Sequence, residues 1–311
     1  MQLYKSRGFS EFFQDTFAFL KQNGKHFFKH YLIVNGIFLI IMMVFMYFFT
    51  KFYTSILFGA MTGNPGFADE YINENLGLFI LMFVVFFIIA LIAGVISFAF
   101  VPLYLKLYAE RGHANFEIPD LVKAYKANIG KLLTFLVCGF LLGIPLVLAL
   151  GIGAFILAVT IVGILLLPFL IAGFSLFYGM SLMEYVEEKR GIWESFGYAW
   201  NLLSSKFWPS IGSVGIFLLM AYVVQGLLSM IPYIFGMASL FSSFEGGVAS
   251  PQDVSTTMTI VMIAMFFLNF LVGALVGVVV QLNQGVVFYS LKEDSENINT
   301  KSVIDQIGSG E

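Results

Sequence analysis

Three histidines carry the only spacing in this chain that suggests metal chemistry. His26 and His30 stand four residues apart, which on a helix puts both imidazoles on one face as a metal pair requires, and His113 offers a third ligand. Against that reading, Lys25 and Lys29 flank the pair with positive charge and no carboxylate stands at a motif-like spacing. The plainer reading is a pair of amphipathic surface histidines. A second group is amidic: Gln281, Asn283 and Gln284 form the densest polar patch near the inner end of the last apolar stretch, with Gln225 and Asn269 elsewhere inside such stretches. Amides there either bond helix to helix or line a substrate path, and the first use is the more common. No Asp, Glu, Lys, Arg or His falls midway along any of these stretches, which argues against a proton-driven pump and leaves an uncoupled carrier open. The chain has no nucleophile motif, phosphate loop or cofactor signature, and its lone Cys138 sits in an apolar run.

The elements that position these residues follow from composition. With 59% hydrophobic residues, 11% charged, 37 Phe and a mean hydropathy of +0.90, the chain lies far from the globular norm of about 25% charged residues. Its solvent is a bilayer. Crossing the hydrocarbon needs roughly 20 apolar helical residues, and six stretches qualify: about 31–58, 76–108, 131–153, 161–183, 207–240 and 254–291. No charge separates Lys131 from Glu184, and one helix of that length would measure about 80 Å. A tight turn is therefore expected between Gly151 and Gly163.

Three amphipathic segments introduce pairs of spans: Phe9 to His30, Ile118 to Gly130 and Ile192 to Phe207. Each starts with an apolar residue and an acid two positions later, as in Phe9-Ser-Glu11, Ile118-Pro-Asp120 and Ile192-Trp-Glu194. The charged ends Tyr108-Ala-Glu110 and Tyr185-Val-Glu187 match as well, and Gly285 to Glu293 aligns loosely with them. The expected fold is all-α: a polytopic membrane protein with six transmembrane helices in three helical hairpins, each preceded by an interfacial helix. The repeats run over about 9–112, 116–191 and 192–292 within one domain, 1–292, and the polar, acidic segment 293–311 is expected to be a disordered tail. Trp193, Trp200 and Trp208 all fall in the third segment and read as interfacial anchors.

Of the 16 basic residues only Lys51 falls outside one shared face, and the positive-inside rule makes that face cytoplasmic, with both termini inside. The outer loops, with Gly63-Asn-Pro-Gly66 and Gly246-Gly247 as turn chemistry, are too short for a folded domain. Lys21, Lys25, Lys123 and Lys126 favour anionic lipid. Membrane lipids are the expected partners, a protein partner or a second copy is open, and nothing points to nucleic acid.

The phenylalanine-rich segment, the hairpins and the connection Trp193-Glu-Ser-Phe-Gly-Tyr-Ala-Trp200 resemble the bacterial polytopic proteins related to the membrane domain of glycerophosphodiester phosphodiesterases. That resemblance implies a helical module of the bacterial inner (cytoplasmic) membrane. The family's catalysis belongs to a separate soluble barrel, which has no counterpart in these residues. Similar chains carry a carotene monooxygenase label, which implies a rival reading: a membrane-embedded metal-dependent oxidoreductase on carotenoid or lipid, using His26, His30 and His113. The preferred reading is a non-enzymatic module that binds or moves lipid or scaffolds a partner.

Overall fold

The computed structural model describes residues 1–60, 67–245 and 251–299. Seven helices account for nearly all of them: α1 (Phe9–Ala60), α2 (Phe67–Arg111), α3 (Ile118–Ala158), α4 (Ile161–Val186), α5 (Ile192–Ser205), α6 (Phe207–Glu245) and α7 (Pro251–Glu296). No strand occurs among the described residues. All but α5 contain a stretch long and apolar enough to cross a membrane, six in total. The chain is a multi-pass membrane protein.

The first two amphipathic segments are not separate helices. Nothing between Phe9 and Ala60 interrupts the ladder of backbone hydrogen bonds, since the stretch contains no proline, and α1 continues straight from amphipathic segment into span. The same holds in α3, which runs through Gly130. The third segment does end. In a continuous helix Pro209 could not bond to the Ser205 carbonyl and its ring would press on it; α5 stops at Ser205, Lys206 takes φ −135° and ψ 55°, and a new helix starts at Phe207. Pro102, Pro145, Pro168 and Pro232 lie inside helices that continue through them.

The starts of α1, α3 and α5 share one local structure. Glu11 accepts a hydrogen bond from the Gly8 amide at 2.8 Å, Asp120 from Glu117 at 3.0 Å and Glu194 from Gly191 at 3.0 Å. An acid at the third helical position thus reaches back to an otherwise unpaired amide, and its charge suits the positive end of the helix dipole. Side chains at equivalent later positions turn inward in all three, as with Phe12, Leu121 and Ser195, and with Phe19, Asn128 and Leu202. The outgoing helices also end alike: left-handed backbone follows each, at Gly112 and His113 (φ 62° and 73°), Glu188 (67°) and Asn297 (52°).

Packing divides the described residues into two compact units, residues 1–34, 95–220 and 277–299, and residues 35–60, 67–94, 221–245 and 251–276. In the first, Phe19, Phe27, Phe100 and Tyr104 pack edge to face and are fully buried. Helices α3 and α4 form a hairpin there. Val159 and Thr160 make the turn, with the Thr160 hydroxyl capping α4 at Gly163, inside the interval expected from the sequence. Tyr178 crosses the hairpin, donating to the Gly139 carbonyl at 2.9 Å over the small surface of Gly139 and Gly143. In the second unit, Phe45, Phe49, Phe52, Phe79 and Phe86 form a ladder of ring contacts.

The first residues of the expected tail, from Glu293 to Asn299, are ordered. Helix α7 runs to Glu296, Glu293 is buried, and Asn299 bonds to Glu293 and to the Tyr4 carbonyl. Residues 300–311 lie outside the described residues. So do the turns 63–66 and 246–247, while Asp69 and Glu70 sit in the first turn of α2.

Candidate functional site

The histidine pair forms, but it is spent on structure. His26 and His30 stack with ring centroids 3.8 Å apart. Nε2 of His26 lies 2.9 Å from the Phe116 carbonyl, so it carries the proton, and Nδ1 lies 2.8 Å from the Tyr104 hydroxyl, which must then donate to it. Both nitrogens of His26 are thereby engaged. His30 uses Nδ1 on the His26 carbonyl at 2.7 Å and leaves Nε2 buried with no hydrogen-bond partner. His113 packs against Tyr108 and is not gathered with the other two into a metal-binding group; among the described residues no three His, Cys, Asp or Glu side chains form one.

The amides divide between the units. Asn283 is fully buried, bonding Thr16 at 3.0 Å and Ser213 at 3.2 Å, and Gln284 bonds Ser175 at 2.7 Å. These are helix-to-helix bonds joining α7 to α1, α4 and α6. Gln281 leaves its carbonyl oxygen buried and unbonded. In the second unit Asn269 accepts from Ser229 at 2.9 Å and donates to the Met265 carbonyl, with Gln225 one turn from Ser229. Trp193, Trp200 and Trp208 are all exposed, Trp208 at 79%, while Phe196 beside them is buried against Phe135 and Tyr178.

The best-built polar constellation went unseen in the sequence. Lys292, fully buried, reaches Glu184 at 2.5 Å and also contacts Glu187, joining the ends of α7 and α4. Glu184 also pairs with Arg190, whose guanidinium lies 3.7 Å over the Tyr198 ring and 3.3 Å from Glu296. Tyr198 donates to Glu296 at 2.7 Å and Tyr4 to Glu187 at 3.4 Å. Burial, then the charge and acceptance of Glu187, push the Tyr4 hydroxyl far above its ordinary pKa. Burial and the Glu296 hydrogen bond do the same for Tyr198. For Arg190 burial works the other way, but the hydrogen bond and charge of Glu184 overcome it and raise the guanidinium further. In the sequence, Glu184 and Lys292 looked like the first charges after a span. Only their convergence shows a lock.

Arg7 fastens the N-terminal residues in a similar way. Fully buried, it donates to the carbonyls of Gln2, Leu3 and Lys5 and pairs with Asp15 at 2.7 Å.

A cavity of about 240 Å³ opens between the end of α2, the start of α3 and the turn after α4. Lys106, Arg111 and Lys123 line it together with Glu110, Asp120 and Glu188. Hydrogen bonding to Lys131, together with the charges of Lys131 and Lys106, holds Glu188 below the usual carboxylate range.

The chain has no match among protein-family profiles, curated proteins or solved structures.

The remaining cations separate into two classes. Lys106, Arg111 and Lys131 beside the cavity, Lys189, Arg190, Lys206 and Lys292 around the lock, and Lys5 and Arg7 among the N-terminal residues each have an acidic partner, whereas Lys21, Lys25, Lys29 and Lys51 on α1 and Lys123 and Lys126 on α3 are exposed and form no ion pair among the described residues. Exposed apolar residues follow Lys29 and Lys126 on their helices: Leu32 and Ile33 on α1, Ile129 and Leu133 on α3.

Proposed function

We propose that this protein is a non-catalytic lipid-handling module of the bacterial inner membrane, with both termini in the cytoplasm. The observation that carries it is the distribution of the lysines. The unpaired cations Lys21, Lys25 and Lys29 on α1 and Lys123 and Lys126 on α3 give way along the same helices to exposed apolar side chains, with Lys51 only at the far end of the apolar stretch of α1, which is the order of charges and hydrocarbon that a phospholipid leaflet presents. Interior cations are neutralised within the protein instead. Engagement of both His26 nitrogens by protein groups, and of Asn283 and Gln284 in helix packing, supports a binding or scaffolding role over a redox or transport one.

The module is built from three tandem units, each an amphipathic segment leading into a hairpin. The shared carboxylate closures at Glu11, Asp120 and Glu194 and the shared left-handed ends support this reading. Adding bilayer lipid to delipidated protein in detergent should raise its thermal stability, and replacing Lys21, Lys25, Lys29, Lys123 and Lys126 with Gln should remove most of that gain. Equal stabilisation of the variant, or none of either, would end the lipid-handling reading. Reporter fusions at residues 111 and 190 check the orientation, since both should report cytoplasm.

A further inference from the structure

The geometry points to a specific lipid at the cavity beside α2 and α3: a phospholipid whose headgroup carries a phosphate and a primary ammonium, as phosphoethanolamine does. The inference rests on the lipid-handling reading and adds the class of headgroup.

Charge is the first argument. The lining balances Lys106, Arg111 and Lys123 against Glu110, Asp120 and Glu188, so the site offers no net attraction for an anion. Most of these charges are already committed. Arg111 pairs with Asp120 at 3.2 Å, Lys106 donates to the Val186 carbonyl at 2.8 Å, and Glu188 pairs with Lys131 at 3.1 Å. Two remain. Lys123 on α3 has no ion pair among the described residues, and Glu110 on α2 has only Lys106 at 4.0 Å. A free cation on one helix and a nearly free carboxylate on another suit a ligand bearing both signs.

The carboxylate narrows the class. Glu110 can accept hydrogen bonds as well as balance a charge. A primary ammonium supplies both the cation and the N–H donors; a quaternary ammonium supplies the charge without a donor, and a glycerol phosphate brings no cation. Size agrees, since about 240 Å³ leaves room for a headgroup of this kind.

The fold also supplies a course for the acyl chains. Below Lys123 the same face of α3 presents Ala127, Gly130, Thr134, Val137 and Leu141, all exposed, and a methyl group added at Gly130 would meet nothing within 4 Å. Small residues stand next to the headgroup and branched ones beneath it. A free headgroup compound would have no use for this face, so a lipid is the assigned source.

Two substitutions test the assignment through opposite signs. Native mass spectrometry of protein incubated with phosphatidylethanolamine, phosphatidylcholine or phosphatidylglycerol of matched chains gives the retained lipid, and thermal melting checks that each variant is folded. Losing one charge-assisted contact should cut retention about tenfold. Glu110→Gln should therefore lower retention of phosphatidylethanolamine while leaving or raising that of phosphatidylglycerol. Lys123→Gln should lower both, and Lys123→Arg should restore them. Unchanged or increased phosphatidylethanolamine retention in Glu110→Gln overturns the headgroup assignment while the lipid-handling reading stands. Failure to retain any lipid ends both. Soluble phosphoethanolamine displacing the lipid at equal concentration would overturn the lipid source.

Discussion

Replacing Lys292 with Met tests the buried lock most directly. The ammonium is fully buried between Glu184, itself fully buried, and Glu187, so the substitution keeps the volume and removes the charge that compensates two carboxylates. Breaking one side of a buried pair costs about 3–5 kcal/mol, because the surviving charge remains desolvated. Arg190 still touches Glu184 and Tyr4 still donates to Glu187, which places the cost toward the lower end. In a unit of roughly 150–250 residues each kcal/mol moves the melting temperature by about 2–4 °C, so a fall of roughly 6–12 °C follows. Tryptophan fluorescence during heating in a mild detergent would read it. The decisive comparison is the triple variant Lys292→Met, Glu184→Gln, Glu187→Gln, which removes the stranded charges and should recover at least half of the loss. If Lys292→Met melts with the native protein, or the triple variant melts below the single, the lock is not holding α4 to α7.

Truncation after Lys292 should destabilise the protein by about 1–2 kcal/mol, because it deletes the Glu296 acceptor of Tyr198 and Arg190, whereas truncation after Asn299 should leave the melting temperature unchanged. Gly215→Ala should cost about 1–3 kcal/mol in a chemical unfolding series, since its methyl group would overlap the Phe169 ring; Gly197→Ala, with open space around it, should be neutral or stabilising. The Tyr198 hydroxyl titrates above its unfolded value of about 10, so its contribution is complete below that pH and is lost as pH rises toward the folded value. Melting curves from pH 8 to 11 should therefore fall at the alkaline end, and Tyr198→Phe should flatten that fall.

Sequence by itself determined the solvent, the helical class and the number of apolar stretches, because burial in hydrocarbon requires long uncharged runs that are visible one residue at a time. It also showed where α1, α3 and α5 begin. The acids Glu11, Asp120 and Glu194 act within one turn of chain, and local chemistry of that kind is legible from spacing. The stop at Ser205, four residues before Pro209, is equally local, but the apolar spacing carried the expected segment on to Phe207. Tertiary structure decided everything that depends on which faces meet. Phe19 and Phe27 turned out to pack against α2 and Phe12 to be buried, so the first segment is interior on one side, while Phe9 and Phe17 stay exposed. The histidine spacing was read correctly as one shared face, yet what lies opposite that face, Tyr104 and the Phe116 carbonyl, consumes the nitrogens. The lock and the cavity were hidden for a single physical reason. Their charges lie at helix ends, where sequence reads a charge as leaving the membrane for water, and only the convergence of α2, α3, α4 and α7 showed that some of those charges leave water for one another.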